Sequence, residues 1–540
     1  MGVKAGKTQE RFGPWAEGVP GVTQCPLLQY SQETHRFYAG VTDGDLNAPP
    51  GTYWYHSHTR SQRGWGLQGA MVIKDKSPPA QYRGVVDIPH QQTISLFEWT
   101  EQGDEGAVQS ILVNGKSKLP NQTFGADEAH LKKVMNGSVG DFPTVETEKR
   151  IHPNIKPSYE EFSVKPGKIY RFRLIGMVGQ SVNAIRFSID GHTFSAIASD
   201  SIYIEEIKNL TYLWIASGER YDILLKTRED VSDIKEAFKM RFVMFNCIFE
   251  LKAACSIAWL RYEGQAIDTN YVHPHLCEGF DLRSPGSFLD WYQTISYPHP
   301  GVRSLNTPGA SEKDWQERLT PERWRDLGNM GSIYPVDMRS LTPTDTSSLH
   351  STQFIRLGRW WASFDQIEMK RGDFPQIPYL FQDKRVSEKK NRSHIPSNYE
   401  LDKWNFYAPH VLMFPYNPDL YVEIILYDDL DMWFPLVHPI HQHGGWFWVV
   451  GGGVYGKHLD RHIITEDYKA KRLNYVVSNN NVMKDTIQVP KNGYVILRTK
   501  LDNPGFWLFH CHTEFHLDLG MALILQIGQQ GTDWYFYNKD

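Results

Sequence analysis

No run of about 18 uninterrupted apolar residues occurs in the 540-residue sequence, so no transmembrane helix is expected. Neither sign of charge dominates. There are 57 Lys and Arg against 62 Asp and Glu, a net charge of −5. That balance offers no electrostatic footprint for nucleic acid or an anionic membrane surface, and neither is expected as a partner. Low-complexity tracts are absent. The start, Met1–Gln9, is polar and basic, so no secretory signal is expected there. Cysteine is scarce: Cys25, Cys247, Cys255, Cys277 and Cys511 make an odd number, and the count alone does not say which pair. What is present is apolar and aromatic content of 41% and 13%, enough for several cores and incompatible with global disorder. At about 150 residues per domain, the length suggests three or four units.

The chain reads as mostly β. Gly51–Tyr55, Ala70–Lys74, Ile169–Leu174, Arg220–Lys226, Leu420–Leu426 and Tyr494–Lys500 are rich in Tyr, Phe, Val and Ile. Gly, Pro, Asn and Asp punctuate them, as expected of sandwiches or barrels. Breaks at Lys74–Tyr82 and Gly264–Gly286 read as linkers. The charged segment Ser311–Asn329 reads as a helix or surface insertion, and Asp383–His394 as a solvated basic loop. Sequons at Asn121, Asn136, Asn209 and Asn391 suit a secreted chain, whereas the amino terminus argues against export.

Histidine is clustered. Three segments stand out: Tyr55-His56-Ser57-His58, then His438-Pro439-Ile440-His441-Gln442-His443, then His510-Cys511-His512-Thr513-Glu514-Phe515-His516, continuing to Met521. Gly505–His510 reads as a strand running into the last of these. Alternate side chains of a strand face opposite sides. His510 and His512 therefore point one way and Cys511 the other, so one segment can serve two metal positions. The spacing C-x4-H-x4-M from Cys511 through His516 to Met521, completed by a distant imidazole such as His438, describes a blue-copper site. Zinc remains an alternative on Cys and His alone, and the Met favours copper. His56 with His58, and His441 with His443, repeat the two-residue spacing. Each pair presents two rings on one face, and the pairs can converge on a multinuclear centre.

A lone H-x-H is more often a surface or satisfied core pair. Three such pairs, one wrapped around a Cys with His and Met at fixed offsets, point to metal. His273, His275 and His299 lie in Pro-rich sequence and read as turn residues, and His458 and His462 as surface. Cys247 and Cys255, eight apart, fit either a small-loop disulfide or two buried thiols.

These residues resemble a known family. HPIHQHG at 438–444 and HCHTEFHLDLGMAL at 510–523 resemble the third and fourth copper signatures of multicopper oxidases. GTYWYHSHTRSQRGWGLQGAMVIKD at 51–75 resembles the second. PWAEGVPGVTQCP at 14–26, RYDILLKT at 220–227 and KDTIQVPKNGYVILRTKLDNPGFWLFHCH at 484–512 look most like the animal laccase-like branch. The resemblance implies an all-β chain of three cupredoxin-like Greek-key sandwiches, divided as 1–78, 79–265 and 266–540. It implies a mononuclear copper held by His438, Cys511 and His516 with Met521 axial. It implies a type 3 pair held by His56, His58, His443, His510 and His512, and a type 2 copper held by His441. Glu514 matches a carboxylate that relays protons to oxygen; the plainer reading is a solvated Glu beside the cluster. The implied partners are a phenolic or similar one-electron donor and O2, and the implied location is extracellular.

Departures are informative. The family's first signature, H-W-H-G, laid on this chain without gaps puts its two His at Lys4 and Gly6. Neither replaces an imidazole, so six of eight cluster His are found, and an amino-terminally truncated first domain with an exposed sheet edge is expected. Trp65 stands where many relatives carry Asp, Gln442 replaces Leu or Met, and Gly445 replaces His or Tyr. Two functions follow: an oxidase reducing O2 to water, or a copper-binding homologue that keeps the mononuclear site without oxidase turnover.

Overall fold

The computed structural model describes residues 17–25, 27, 30–35, 41–42, 45–46, 50–59, 62–100, 108–118, 158–179, 182–246, 253–268, 271, 348–357, 411–428, 438–454, 459–475, 482–489 and 493–528. Lys4, Gly6, Cys247, Cys277, His273, His275, His299, His458, three of the sequons, and the 311–329 and 383–394 segments lie outside them.

The described chain is mostly strand, with few helices. All six segments expected to be extended are strands. Residues 79–265 supply two sheets. The first runs Ile202–Leu210, Phe194–Ser199, Arg220–Lys226, Ile169–Gly176, Thr93–Thr100, Val108–Val113. The second runs Tyr212–Ala216, Val182–Ile189, Phe238–Asn246, Ala253–Tyr262, Glu161–Val164. Leu174, Ile223, Phe187 and Phe242 fill the space between them. Fully burying each such side chain contributes roughly 1.5–3 kcal/mol.

The carboxy-terminal residues form a second pair of sheets, each with five strands. One holds Leu349–Leu357, Asn417–Asp428, Gly493–Leu501, Phe447–Val454 and Met483–Lys484. The other holds Val411–Phe414, Ala522–Ile527, Gly505–Cys511, His438–Gln442 and Thr486–Val489. Strand Asn417–Asp428 is buried on both faces, because Val422, Ile424 and Leu426 enter the inter-sheet core while Ile425 and Tyr427 pack outward. Helix Arg461–Lys469 covers that outer face with Ile464, and its first turn is capped by Asp460, which accepts from Ile463 N at 2.8 Å. Among the described residues no helix is long and apolar enough to cross a membrane.

Near the amino terminus, Gly51–His56 pairs antiparallel with Gln68–Ile73 in a two-stranded sheet. Tyr55, Trp65 and Leu67 beside it are 58%, 68% and 56% exposed. Cys255 is disulfide-bonded, which removes the reading of two buried thiols; its partner lies outside the described residues. Cys25 is a free exposed thiol and Cys511 a free buried one. Asn209 and His462 are exposed.

Candidate metal centre

The site is built on strand Gly505–Cys511 and the turn that follows it. Cys511 pairs across to Ile440, and His510 to His441, in strand His438–Gln442. After Thr513 the chain forms the short helix Glu514–Leu519, which ends at Gly520 with φ 113°. Glycine enters that left-handed region without the strain a side chain brings. The turn folds the chain back, so that Met521 N donates to His516 O at 2.9 Å and Cys511 N donates to Met521 O at 3.0 Å. Cys511, His516 and Met521 are thereby gathered in one buried corner.

Two tight groups of donors result. In the first, Cys511 Sγ lies 3.7 Å from His438 Nδ1 and 3.5 Å from His516 Nδ1, and the two Nδ1 atoms are 3.2 Å apart. All three side chains are buried. In the second, ligand atoms of His58, His443 and His510 lie within 4.8 Å of one another, with His443 Nε2 and His510 Nε2 3.2 Å apart. The neighbouring rings join this second group. Centroid separations are 4.4 Å for His56 and His58, 5.1 Å for His56 and His512, 4.9 Å for His441 and His443, and 5.5 Å for His441 and His512. All three His-x-His pairs therefore meet in one place, and Cys511 faces away from it, as strand alternation requires.

The chemistry of both groups fits a soft or borderline metal. His58 Nε2 is buried without a hydrogen-bond partner, and in the first group Cys511 Sγ, His438 Nδ1 and His516 Nδ1 face one another. His56, His441 and His510 direct Nδ1 at the backbone oxygens of Ser57, Asp485 and Cys511, at 2.9, 2.8 and 2.8 Å. A carbonyl oxygen only accepts, so Nδ1 carries the proton and Nε2 keeps its lone pair for a metal. His512 differs. Its Nδ1 lies 2.7 Å from Arg63 Nη1, and a guanidinium only donates, so here Nδ1 accepts and the neutral ring holds its proton on Nε2.

Burial sets the protonation states. It pushes the His58 ring down to about 3 and the His516 ring down to about 4. His56, His438, His443, His510 and His512 are also held well below the ordinary imidazole range, chiefly by burial. These rings are neutral, as ligands must be. Burial also pushes the Cys511 thiol up to about 12, so a metal bound to that sulfur displaces its proton.

Several contributors carry no signature in the sequence reading above. Arg63 is 4% exposed and reaches three atoms: Glu514 Oε2 at 3.2 Å, His512 Nδ1, and His512 O at 3.0 Å. Glu514 is thus not solvated but 3% exposed and ion-paired. Glu17 Oε1 lies 2.5 Å from His443 Nδ1, and burial raises its carboxyl well above the usual range. Ser217 Oγ lies 3.1 Å from His512 Nδ1, and Trp54 packs against His56 and His512 with centroids 4.4 and 5.2 Å away. Asp485 carries the carbonyl that orients His441. Burial alone would raise its carboxyl, but the Arg220 guanidinium overrides this and holds it well below the carboxylate range. The one available hint was a charged Lys484-Asp485 pair opening an apolar strand. Gln442, on the face opposite His441 and His443, exchanges hydrogen bonds with Thr499 Oγ1 at 2.7 and 3.1 Å.

Family models described as multicopper oxidase match residues 6–78, 88–265 and 378–531. The chain belongs to the multicopper oxidase family. Copper-dependent oxidation of a small-molecule donor with reduction of O2 comes with that membership. Among curated relatives of this multicopper oxidase, an L-ascorbate oxidase of Brassica rapa subsp. pekinensis is 26% identical over 95% of this chain and 80% of its own length. Laccase-14 of Arabidopsis thaliana is 24% identical over 95% and 78%. Among solved structures, Fet3p, a multicopper oxidase that functions in iron import, aligns at TM-score 0.58 and 19% identity over 95% of this chain and 78% of its own. The laccase of Botrytis aclada aligns at TM-score 0.57 and 20% identity over 97% and 77%. These likenesses show the cupredoxin-like fold.

Proposed function

We propose that this multicopper oxidase is a laccase-like enzyme that takes electrons singly from phenolic or diphenolic donors and delivers them to O2. In this reading residues 1–78, 79–265 and 266–540 are its three domains. His438, Cys511, His516 and Met521 would hold the mononuclear copper. His56, His58, His443, His510 and His512 serve the type 3 pair, and His441 the type 2 position. When bound, copper supplies one-electron transfer from the donor and reduction of oxygen to water.

The supporting observation is the split of one tripeptide between two donor groups. Cys511 Sγ sits between His438 and His516, while His510 joins the three-imidazole group behind it. The covalent run His510-Cys511-His512 therefore joins the two positions through a few bonds. Trp54 and the buried strands cover the His441, His443, His510 and His512 rings, while His56 and His58 are half-buried. Glu514, buried beside His512, is placed to hold and pass a proton at its carboxylate. The His512 ring takes its metal-binding tautomer only when Arg63 gives up its hydrogen bond to Nδ1.

A thioether ligand from Met521 would support a moderate potential, which suits easily oxidised donors such as catechols, ascorbate or ferrous iron. The relatives named as ascorbate oxidase, laccase and iron-import oxidase match these three choices, and the 14–26, 220–227 and 484–512 segments favour the animal laccase-like branch. An exposed Asn209 sequon and the disulfide-bonded Cys255 support an extracellular glycoprotein.

A second reading is a copper protein without oxidase turnover. It is favoured by Lys4 and Gly6 standing where the family's first signature has its two His, which leaves six of the eight cluster imidazoles. Copper quantification, visible and EPR spectra and oxygen uptake with catechol, ascorbate and ferrous iron decide between them. A blue absorption, a non-blue EPR signal and oxygen consumption with a catechol establish the enzyme. A blue absorption alone, with no oxygen uptake, establishes the second reading.

A further inference from the structure

The strand Arg220–Lys226 carries none of the histidine donors, yet its first residue lies where three distant parts of the chain meet. Arg220 is 3% exposed. All five of its N–H bonds have acceptors. Nε donates to Thr52 O at 3.1 Å. Nη1 donates to Gly218 O at 2.9 Å and to Asp485 Oδ1 at 2.6 Å. Nη2 donates to Asp485 Oδ2 at 2.6 Å and to Ser201 Oγ at 3.5 Å. A planar five-donor fork meets this acceptor set, and an ammonium does not.

Two of these contacts lead to the histidine cluster from opposite sides. Thr52 lies on strand Gly51–His56, four residues before His56 and on the same face. Its carbonyl is held from a second direction by Ser201 Oγ at 2.6 Å. Asp485 is gripped through both carboxylate oxygens, and its backbone oxygen accepts from His441 Nδ1 at 2.8 Å and from Gln442 N at 2.9 Å. Thr486 Oγ1 donates to Asp485 Oδ1 at 2.9 Å and lies 3.0 Å from His441 Nδ1. The same junction is braced by Asp200, whose carboxylate accepts from Arg220 N at 3.0 Å and Thr486 N at 3.2 Å. Lys484 Nζ completes it, 3.3 Å from Asp200 and 3.1 Å from Glu219.

We propose that Arg220 is a positioning residue for the histidine cluster: it fixes His441, through Asp485, against the His56 strand, through Thr52. The middle of the chain, which among the described residues supplies none of these histidine donors, thereby sets the spacing between donors that arrive from either side of it. The mononuclear group is an internal control. His438, Cys511 and His516 make no hydrogen bond with Arg220, and their geometry is set within the carboxy-terminal sheets.

This inference rests on the copper reading above, and its test separates the two. Full-length copper-loaded wild type and Arg220→Met are titrated with a copper chelator while blue absorption and the double-integrated non-blue EPR signal are followed. Loss of such outer support weakens metal affinity by about 10–100-fold. The expected result is that the non-blue copper of Arg220→Met leaves at about 10–100-fold lower chelator activity while the blue copper leaves as in wild type. Equal chelator sensitivity of the non-blue copper in both proteins overturns the inference, as does parallel weakening of both coppers, which marks a general structural role. Arg220→Lys and Asp485→Asn, milder changes at the same contact, repeat the comparison should the Met variant fail to accumulate. The differential must appear in whichever variant folds, and its absence there is equally fatal. A wild-type protein that takes up no copper in either form refutes the copper reading itself, not the role of Arg220 alone.

Discussion

Arg63 Nε and Glu514 Oε2 are 3.2 Å apart in a buried ion pair, with side chains 5% and 4% exposed. The two residues come from opposite ends of the chain, and the same guanidinium also touches His512. Deleting the cation removes the charge partner of a buried carboxylate, and breaking a buried pair from one side costs about 3–5 kcal/mol. Arg63→Met is therefore expected to lower stability by that order, and Arg63→Met combined with Glu514→Gln to regain part of it. Urea unfolding of the three proteins is the check. A single variant as stable as wild type removes the pair from any account of how these chain ends are held.

Cys511 is fully buried, and serine has nearly its shape. Cys511→Ser is expected to fold, to lose the blue absorption entirely, and to keep copper at the histidine cluster. Absorption and EPR spectra on one sample test this. A surviving blue band means that another sulfur is the ligand.

The metal-free protein is expected to lose stability as pH falls. The folded His516 ring titrates near 4, whereas the same ring in an unfolded chain titrates near 6.5. Below about pH 6.5 the unfolded chain binds the extra proton, so stability present above that pH is lost as the solution approaches pH 4. At about 1.4 kcal/mol per pKa unit the His516 ring alone contributes roughly 3 kcal/mol, and the other depressed rings add in the same direction. Denaturant midpoints of copper-free protein between about pH 7 and about pH 5 report this. A flat profile contradicts the buried, neutral state of the rings.

Two glycines leave room for rings at the centre. Gly218 has φ +85°, and a Cβ there would stand 2.7 Å from His512 Cδ2. Gly444 has φ +78°, and its Cβ would stand 2.1 Å from Trp507 Cδ2, on a buried indole whose Nε1 donates to Asn503 O at 2.8 Å. Alanine at either place adds backbone strain of about 1–3 kcal/mol. Gly444→Ala is expected to be the more damaging in thermal unfolding, because Trp507 cannot move aside. Gly218→Ala is expected to lower the amount of copper retained beyond the blue centre, measured by copper quantification, and to leave the blue absorption in place.

The strands and the ring pairs were legible in sequence because period-two spacing is a local property. His510, Cys511 and His512 declare their opposite faces to anyone who knows that the segment is extended. Arg63, Glu17, Asp485 and Arg220 were not legible. Each is an ordinary polar residue whose partner lies far along the chain, and no local pattern marks it. Glu514 shows the same limit: its neighbours in sequence give no hint of Arg63, so a proton-relaying carboxylate and a solvated one read equally well. The cysteine count does not reveal the disulfide at Cys255 for a like reason.

The six clustered imidazoles come from near the beginning and near the end of the polypeptide, with the middle serving as the jig that spaces them. A chain still emerging from the ribosome owns only isolated rings, and even a finished carboxy-terminal half has one pocket fit for metal and a fragment of another. Closing the six-ring cluster therefore requires the segment around His56 and His58 to be seated against the carboxy-terminal sheets, whereas the His438, Cys511 and His516 corner is complete within those sheets.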